Sequence, residues 1–525
     1  MGNNADEKNP DSATQAPKVV ANPFDLSDDY SVEKSKFRKS FGRKEVLFFS
    51  ICSVIGLDTI GLIAAAGPEA FSWMAVLAIV FLIPSAMVIA ELSSTFTYQG
   101  GPYMWIRLAF GRWVGALSAA ISWFKSPIWF GGVLTLVAVV TAETFFMASS
   151  QMSEFSFYRF ALAFIWIGII AANFSFRVGK WVTTLGALAR LILFPFFTMT
   201  VIAYGSYKGF AGVKFTDFGL SFEGFLASIG IIMFAFLGLE NVSAASDEMT
   251  HAKRDLPYAA FRTSAVAIIF YGIQILAVLF ILPIKQVTGL TGFVDALKSA
   301  FTVYGGSIAS DGTVTLSGAG IYLGAFAGVL ILLAVFSSGV SWLMSTNRSL
   351  AMSCFDGAGP RWLGFTNPRY GTPVRINNIT GVIASVILII GYRFVDGDVE
   401  KYFDTVVSFA IAMTLVTYLV LFPAVWVLRN KFPDVNRPYR VPAHRTVSIW
   451  LTSVVVIALT QLLAPGFGDA WFGDMYRPAG WVIGQGRPYY LTHFAAIGVA
   501  VAFATVCFVI GSYNRNKSSE AETEV

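Results

Sequence analysis

Again and again along the chain an apolar run reaches about 20 residues, the length at which an α-helix crosses the hydrocarbon of a bilayer. The runs are residues 46–66, 70–91, 114–141, 157–174, 181–205, 222–246, 260–283, 319–345, 376–392, 403–428, 447–464 and 489–511. No other feature limits the fold so severely. In lipid, backbone N–H and C=O groups must find partners inside the protein, which leaves a bundle of spanning helices. Composition agrees, with 55% of 525 residues hydrophobic and 13% charged, against roughly a quarter charged in a soluble domain. The expected fold is an all-α polytopic membrane protein with twelve transmembrane helices.

Two of these runs are flawed as spans, and the flaws are informative. The stretch Ile231 to Pro257 reads IIMFAFLGLENVSAASDEMTHAKRDLP, with Gly238 and Glu240 interrupting the sixth span. A carboxylate at that depth is costly in hydrocarbon. The arrangement makes sense if the helix opens there and its free ends line an enclosed cavity. The plainer alternative is a glycine packed on a neighbouring helix, with Glu240 satisfied internally. The first span holds Gly56-Leu57-Asp58-Thr59-Ile60-Gly61, an acid and a hydroxyl between two glycines. Opened N–H groups there suit a carboxylate, and opened C=O groups suit an ammonium. Asp58 either takes a cationic group or a proton, or pairs with one of two buried bases, Lys125 in the third span and Arg190 in the fifth. Phe234 and Phe236 are placed to close over the aliphatic part of a solute. Arg190 keeps its charge in nearly any environment, so it must meet acids, carbonyls or water, and it would repel a metal cation from its pocket.

The loops give orientation. Lys34, Lys36, Arg38, Lys39, Arg43 and Lys44 stand directly before the first span. If the spans alternate, the same side carries Arg107 and Arg112, Arg177 and Lys180, Lys253 and Arg254, Arg348, Arg361, Arg369 and Arg375, and the basic 429–445 loop. The excess of Lys and Arg places both termini in the cytoplasm, with residues 284–318 and 465–488 outside. The net charge of +5 is accounted for by these loops and calls for no nucleic acid. Cys52, Cys354 and Cys507 lack metal-ligand spacing, and His251, His444 and His493 form no cluster. No metal and no cofactor is expected.

Several short motifs then carry a family resemblance. They are Ala90-Glu91-Leu92 with Gly100-Gly101-Pro102-Tyr103, Phe236-Leu237-Gly238-Leu239-Glu240, and Glu248 with Lys253-Arg254-Asp255-Leu256-Pro257. Arg348, Asp356-Gly357, Pro360, Gly371-Thr372-Pro373-Val374 and Arg437-Pro438-Tyr439-Arg440-Val441-Pro442 follow. In this order and spacing they resemble the amino acid–polyamine–organocation transporter superfamily, in its amino acid permease branch. The resemblance implies two inverted five-helix repeats (LeuT-like), about 45–210 and 220–428, plus two extra helices, with substrate between the broken first and sixth helices. The five-span offset between the two breaks agrees with that arrangement. Leu57 and Asp58 depart from the usual glycine-rich first-helix pattern, and Gly67-Pro68 resembles polyamine-type members. Arg190 falls where some proton-coupled relatives place a lysine, in the space that holds a cation in sodium-coupled ones.

The expected organisation is a disordered cytoplasmic tail at 1–44, a ten-span core at 45–428, a basic loop at 429–446, spans 11 and 12 with an external loop at 447–511, and a cytoplasmic tail at 512–525. The expected function is secondary active transport of amino acids across the plasma membrane. It would run independently of sodium, by proton symport or by exchange as an antiporter, with polyamines or other amines as the alternative substrates. A channel or receptor would need a continuous polar pore or a signalling domain, and an enzyme would need a nucleophile–base or metal set within the spans. None of these stands out. A monomer and a homodimer, set among membrane lipids, both fit the sequence.

Overall fold

The computed structural model describes residues 39, 41–147, 152–174, 176–210, 213–310, 312–394, 399–463 and 486–523. Most of the expected tail at 1–44, and the 465–488 loop apart from its last residues, lie outside them. Among the described residues, 12 helices are long and apolar enough to cross a membrane. They are Arg43–Ala65, Pro68–Thr95, Arg112–Phe146, Glu154–Asn173, Gly179–Lys208, Phe222–Glu248, Ala252–Ile281, Ala319–Ala358, Val374–Arg393, Tyr402–Lys431, His444–Leu463 and Phe494–Arg515. They are called the first to twelfth spans below. The protein is a polytopic all-α membrane protein, its only strands among the described residues being a short hairpin, Gly306–Ile308 against Val314–Leu316.

Differences from the sequence reading fall at the ends of elements. The segment before the first span is not all tail. Phe41 is fully buried and forms a parallel bridge with Met249, and the helix starts at Arg43. The seventh helix starts at Ala252, eight residues before the apolar run; its first turns are charged, so hydropathy does not register them, and the helix runs on through Pro257. The eighth continues to Ser353 and ends in a π turn at Cys354–Ala358. The last helix runs on to Thr523, through the segment expected as tail.

Packing puts the two flawed spans in the middle. In the most apolar stretch of the first span 89% of residues are buried, against 22% in the twelfth, so the twelfth lies at the edge. The first half of the first span sits among the fifth, seventh and eighth spans. Helices in lipid gain little from apolarity alone and approach closely where side chains are small. Gly186 illustrates this, since any side chain there would collide with Ser337 of the eighth span. That close approach delivers Arg190, one turn further along, to the back of the first span. In the third span Pro127 lacks an N–H, and a π turn over Trp129–Leu134 follows it directly. Such turns re-aim side chains, and here Trp129 is turned toward the first span.

Candidate functional site

Both flawed spans are open helices. In the first, Arg43–Val54 stops, Ile55 and Gly56 are extended, and Leu57–Ala65 resumes. In the sixth, Phe222–Phe236 stops, Leu237 is extended, Gly238 takes φ +111°, and a 3₁₀ stretch runs Asn241–Glu248. The openings touch. A Cβ added to Gly238 would lie 2.9 Å from the Ser53 carbonyl oxygen and 2.9 Å from the Trp342 ring.

Side chains from intact spans satisfy the freed backbone groups, as buried polar groups require. Tyr271 of the seventh span accepts the Gly56 N–H at 2.9 Å, donates to the Val54 carbonyl at 2.7 Å and meets the Thr59 hydroxyl at 2.9 Å. The Trp342 indole donates to Ser53 O at 2.8 Å, and the Ser338 hydroxyl to Cys52 O at 2.9 Å. Arg190 completes the set, donating from Nε to Ile55 O at 2.9 Å and from Nη2 to Ala334 O at 2.8 Å. Its Nη1 donates to Gly186 O at 2.9 Å and Ser337 Oγ at 3.0 Å, and Nη2 also bonds the Ser338 hydroxyl. The guanidinium thus staples the first, fifth and eighth spans together. At the second opening the Tyr418 hydroxyl accepts the Gly238 N–H at 3.0 Å and donates to the Glu240 carboxylate.

The charged residues do not pair as the sequence allowed. Among the described residues neither Lys125 nor Arg190 forms an ion pair with Asp58 within 4.0 Å. Asp58, 1% exposed, accepts from the Trp129 indole at 3.1 Å through Oδ2, while its Oδ1 has no hydrogen-bond partner. Lys125, 2% exposed, places Nζ over the Trp342 ring, 3.3 Å from its centroid, a cation–π contact. Asp58, Lys125, Glu240, Phe234 and Gly238 therefore share one neighbourhood with Trp129 and Trp342, whose rings pack edge-on at 5.5 Å. Phe234 meets Trp129 at 6.2 Å. Phe236 lies behind the opening against Tyr271, while Leu57 and Ile60 are buried in the apolar core. Gly61 abuts the Gly289 carbonyl.

Tyr271, Tyr418, Trp129 and Trp342 were not singled out as site residues from the sequence. The available signal was chemical: a buried tyrosine or tryptophan in an apolar run needs a partner for its O–H or N–H, and an opened helix supplies one.

The short motifs converge at one end of the bundle. Asp356 accepts from Tyr103 at 2.7 Å, from Arg107 Nη2 at 3.0 Å and from Arg112 at 3.4 Å. Burial, and then the Asp356 carboxylate, hold the Tyr103 hydroxyl well above the ordinary phenol value. Glu91 takes Arg429 Nε at 2.7 Å and the Val441 N–H at 2.6 Å, and Arg348 pairs with Glu248. These bonds tie loops from distant parts of the chain into one polar layer.

Twelve spans among the described residues, two of them opened against each other around buried charge, form a bundle of the kind that membrane transporters use. The family model described as amino acid permease matches residues 41–484, and the chain belongs to that family. It is 24% identical over 431 residues to an uncharacterized transporter of Legionella pneumophila, covering 80% of this chain and 88% of that one. It is also 24% identical over 434 residues to a probable agmatine/putrescine antiporter of Lactococcus lactis, covering 81% and 88%. An uncharacterized transporter of Mycobacterium bovis is 24% identical over 375 residues, covering 70% and 75%. The protein is a secondary transporter of small polar solutes of the amino acid and amine class.

Proposed function

We propose that this protein moves amino acids or related amines across the plasma membrane by alternating access, with the solute held between the openings of the first and sixth spans. The observation that carries this reading is the contact of the two openings at Gly238 and Ser53, amid buried Asp58, Lys125 and Glu240. Ionisable groups inside a membrane protein mark solute and ion paths. The reading places both termini in the cytoplasm and treats about 45–210 and 220–428 as inverted repeats.

Transport on this reading is independent of sodium. Arg190 lies between the first, fifth and eighth spans, its donors spent on carbonyls and hydroxyls. A metal cation in that space would face a fixed guanidinium and lose its oxygen ligands to it. The driving reaction is then exchange or proton symport. The test is uptake by proteoliposomes with sodium, potassium or choline outside, at fixed potential and pH. Equal rates in the three salts are expected, and strict dependence on sodium defeats the coupling claim. Stimulation by an inward proton gradient identifies symport, and dependence on internal solute identifies exchange.

A further inference from the structure

An opened half-helix offers its first N–H groups to an anion, and a free amino acid would place its carboxylate there. In this chain the first of those groups is taken and the end of the half-helix is occupied. The Gly56 N–H bonds Tyr271. The Asp58 carboxylate folds back over the start of Leu57–Ala65, so closely that any side chain at Gly56 would collide with it. The seat an incoming carboxylate would use already holds one.

From this we propose, resting on the transport reading above, that the solute is an organic amine with no carboxylate beside its ammonium, and that Asp58 is the residue selecting it. Asp58 Oδ2 is fixed by Trp129, and Oδ1 is buried with no hydrogen-bond partner among the described residues. An ammonium supplies that partner and a counter-charge together. The surroundings suit a cation as well: Trp129, Phe234 and Trp342 bring aromatic rings around the carboxylate, and Trp342 already seats the Lys125 ammonium. A solute carboxylate at the same place would be driven against Asp58, which is 1% exposed, where burial leaves like charges little screened. Lys125 does not cancel this, because no ion pair within 4.0 Å joins it to Asp58 among the described residues.

The test uses the full-length protein in proteoliposomes and pairs that differ only by a carboxylate: agmatine with arginine, putrescine with ornithine, isobutylamine with valine. In at least one pair the amine is expected to compete about tenfold better or more, since juxtaposed like charges are strongly disfavoured. Asp58→Gly empties the seat and should shift that ratio toward the amino acid by about the same factor. Asp58→Asn keeps an acceptor for Trp129 but removes the charge. It should weaken amine competition and relieve part of the discrimination against amino acids, and it decides the matter if the glycine variant does not fold. Transport in which every amino acid equals or beats its amine, or amine competition unchanged in Asp58→Asn, overturns the inference and leaves the transport reading standing. Transport of no member of any pair by the unaltered protein overturns both.

Discussion

The two openings do the same work with different means. The first uses backbone angles open to most residues, Ile55 at φ −90° and Gly56 at φ −90°, and is held by side chains from elsewhere: Tyr271, Arg190, Trp342 and Ser338. The second depends on its own backbone, with Gly238 at φ +111° pressed between Ser53 and Trp342, and takes one outside hydroxyl, from Tyr418. One opening is braced and the other is intrinsic. Substitutions at the brace should therefore act first on stability, and substitutions at the intrinsic break first on transport.

The strongest way to break this contrast is at the glycines. Gly238→Leu forces a side chain into a left-handed backbone and into a carbonyl, and should lower counterflow about 100-fold or more while the protein still reaches the membrane. Gly56→Ala meets side chains, the Asp58 carboxylate and the Thr59 hydroxyl, at a backbone angle open to alanine, and should lower it far less. Equal rates for the two variants would erase the distinction. Next comes Arg190→Ala, which strands the Ile55 carbonyl and cuts the ties to the eighth span and should cost on the order of 3 kcal/mol, read as a lower unfolding temperature in detergent together with slower turnover. Arg190→Lys should recover part of both, and full transport by the alanine variant would remove the staple role. The hydroxyls sharpen the comparison at about 1–2 kcal/mol each. Tyr271→Phe should lower thermal stability more than transport, and Tyr418→Phe transport more than stability, measured on the same preparations. The smallest effect is expected from Trp129→Phe, which removes one hydrogen bond to Asp58 but keeps an aromatic ring against Phe234 and Trp342. Its signature is a changed apparent affinity for amines with near-normal melting.

Spans were the most legible part of the sequence because lipid enforces them one by one: the apolar run 157–174 became Glu154–Asn173 with no help from its neighbours. The openings were legible as well, as one of two readings of a glycine and a carboxylate in mid-span. What closes them was not. Nothing local to Tyr271 says that its hydroxyl will bridge Val54 and Gly56, more than 200 residues earlier. Arg190 could be set by family resemblance in the space that holds a cation in sodium-coupled relatives, but the choice between Asp58 paired and Asp58 unpaired could not be made. That choice depends on helix rotation, which Pro127 and the π turn at Trp129 set and which hydropathy does not record.

The bridge between Phe41 and the end of the sixth span has a consequence for how the chain is made. The Phe41 N–H bonds Glu248 O at 3.0 Å, and Thr250 N–H returns to Phe41 O at 2.9 Å. At translation rates of about 5–20 residues per second, Phe41 emerges some 10–40 s before its partners exist. During that interval the first span sits in the insertion machinery with its entry unlatched and its opening unbraced, for Tyr271 comes later still. The first five spans must therefore wait as a loose assembly, and synthesis of the segment from the sixth span into the seventh is the moment at which they lock. Ribosome-stalled chains ending before residue 248 should leave a cysteine placed at position 41 open to labelling, and chains extended past the seventh span should shield it.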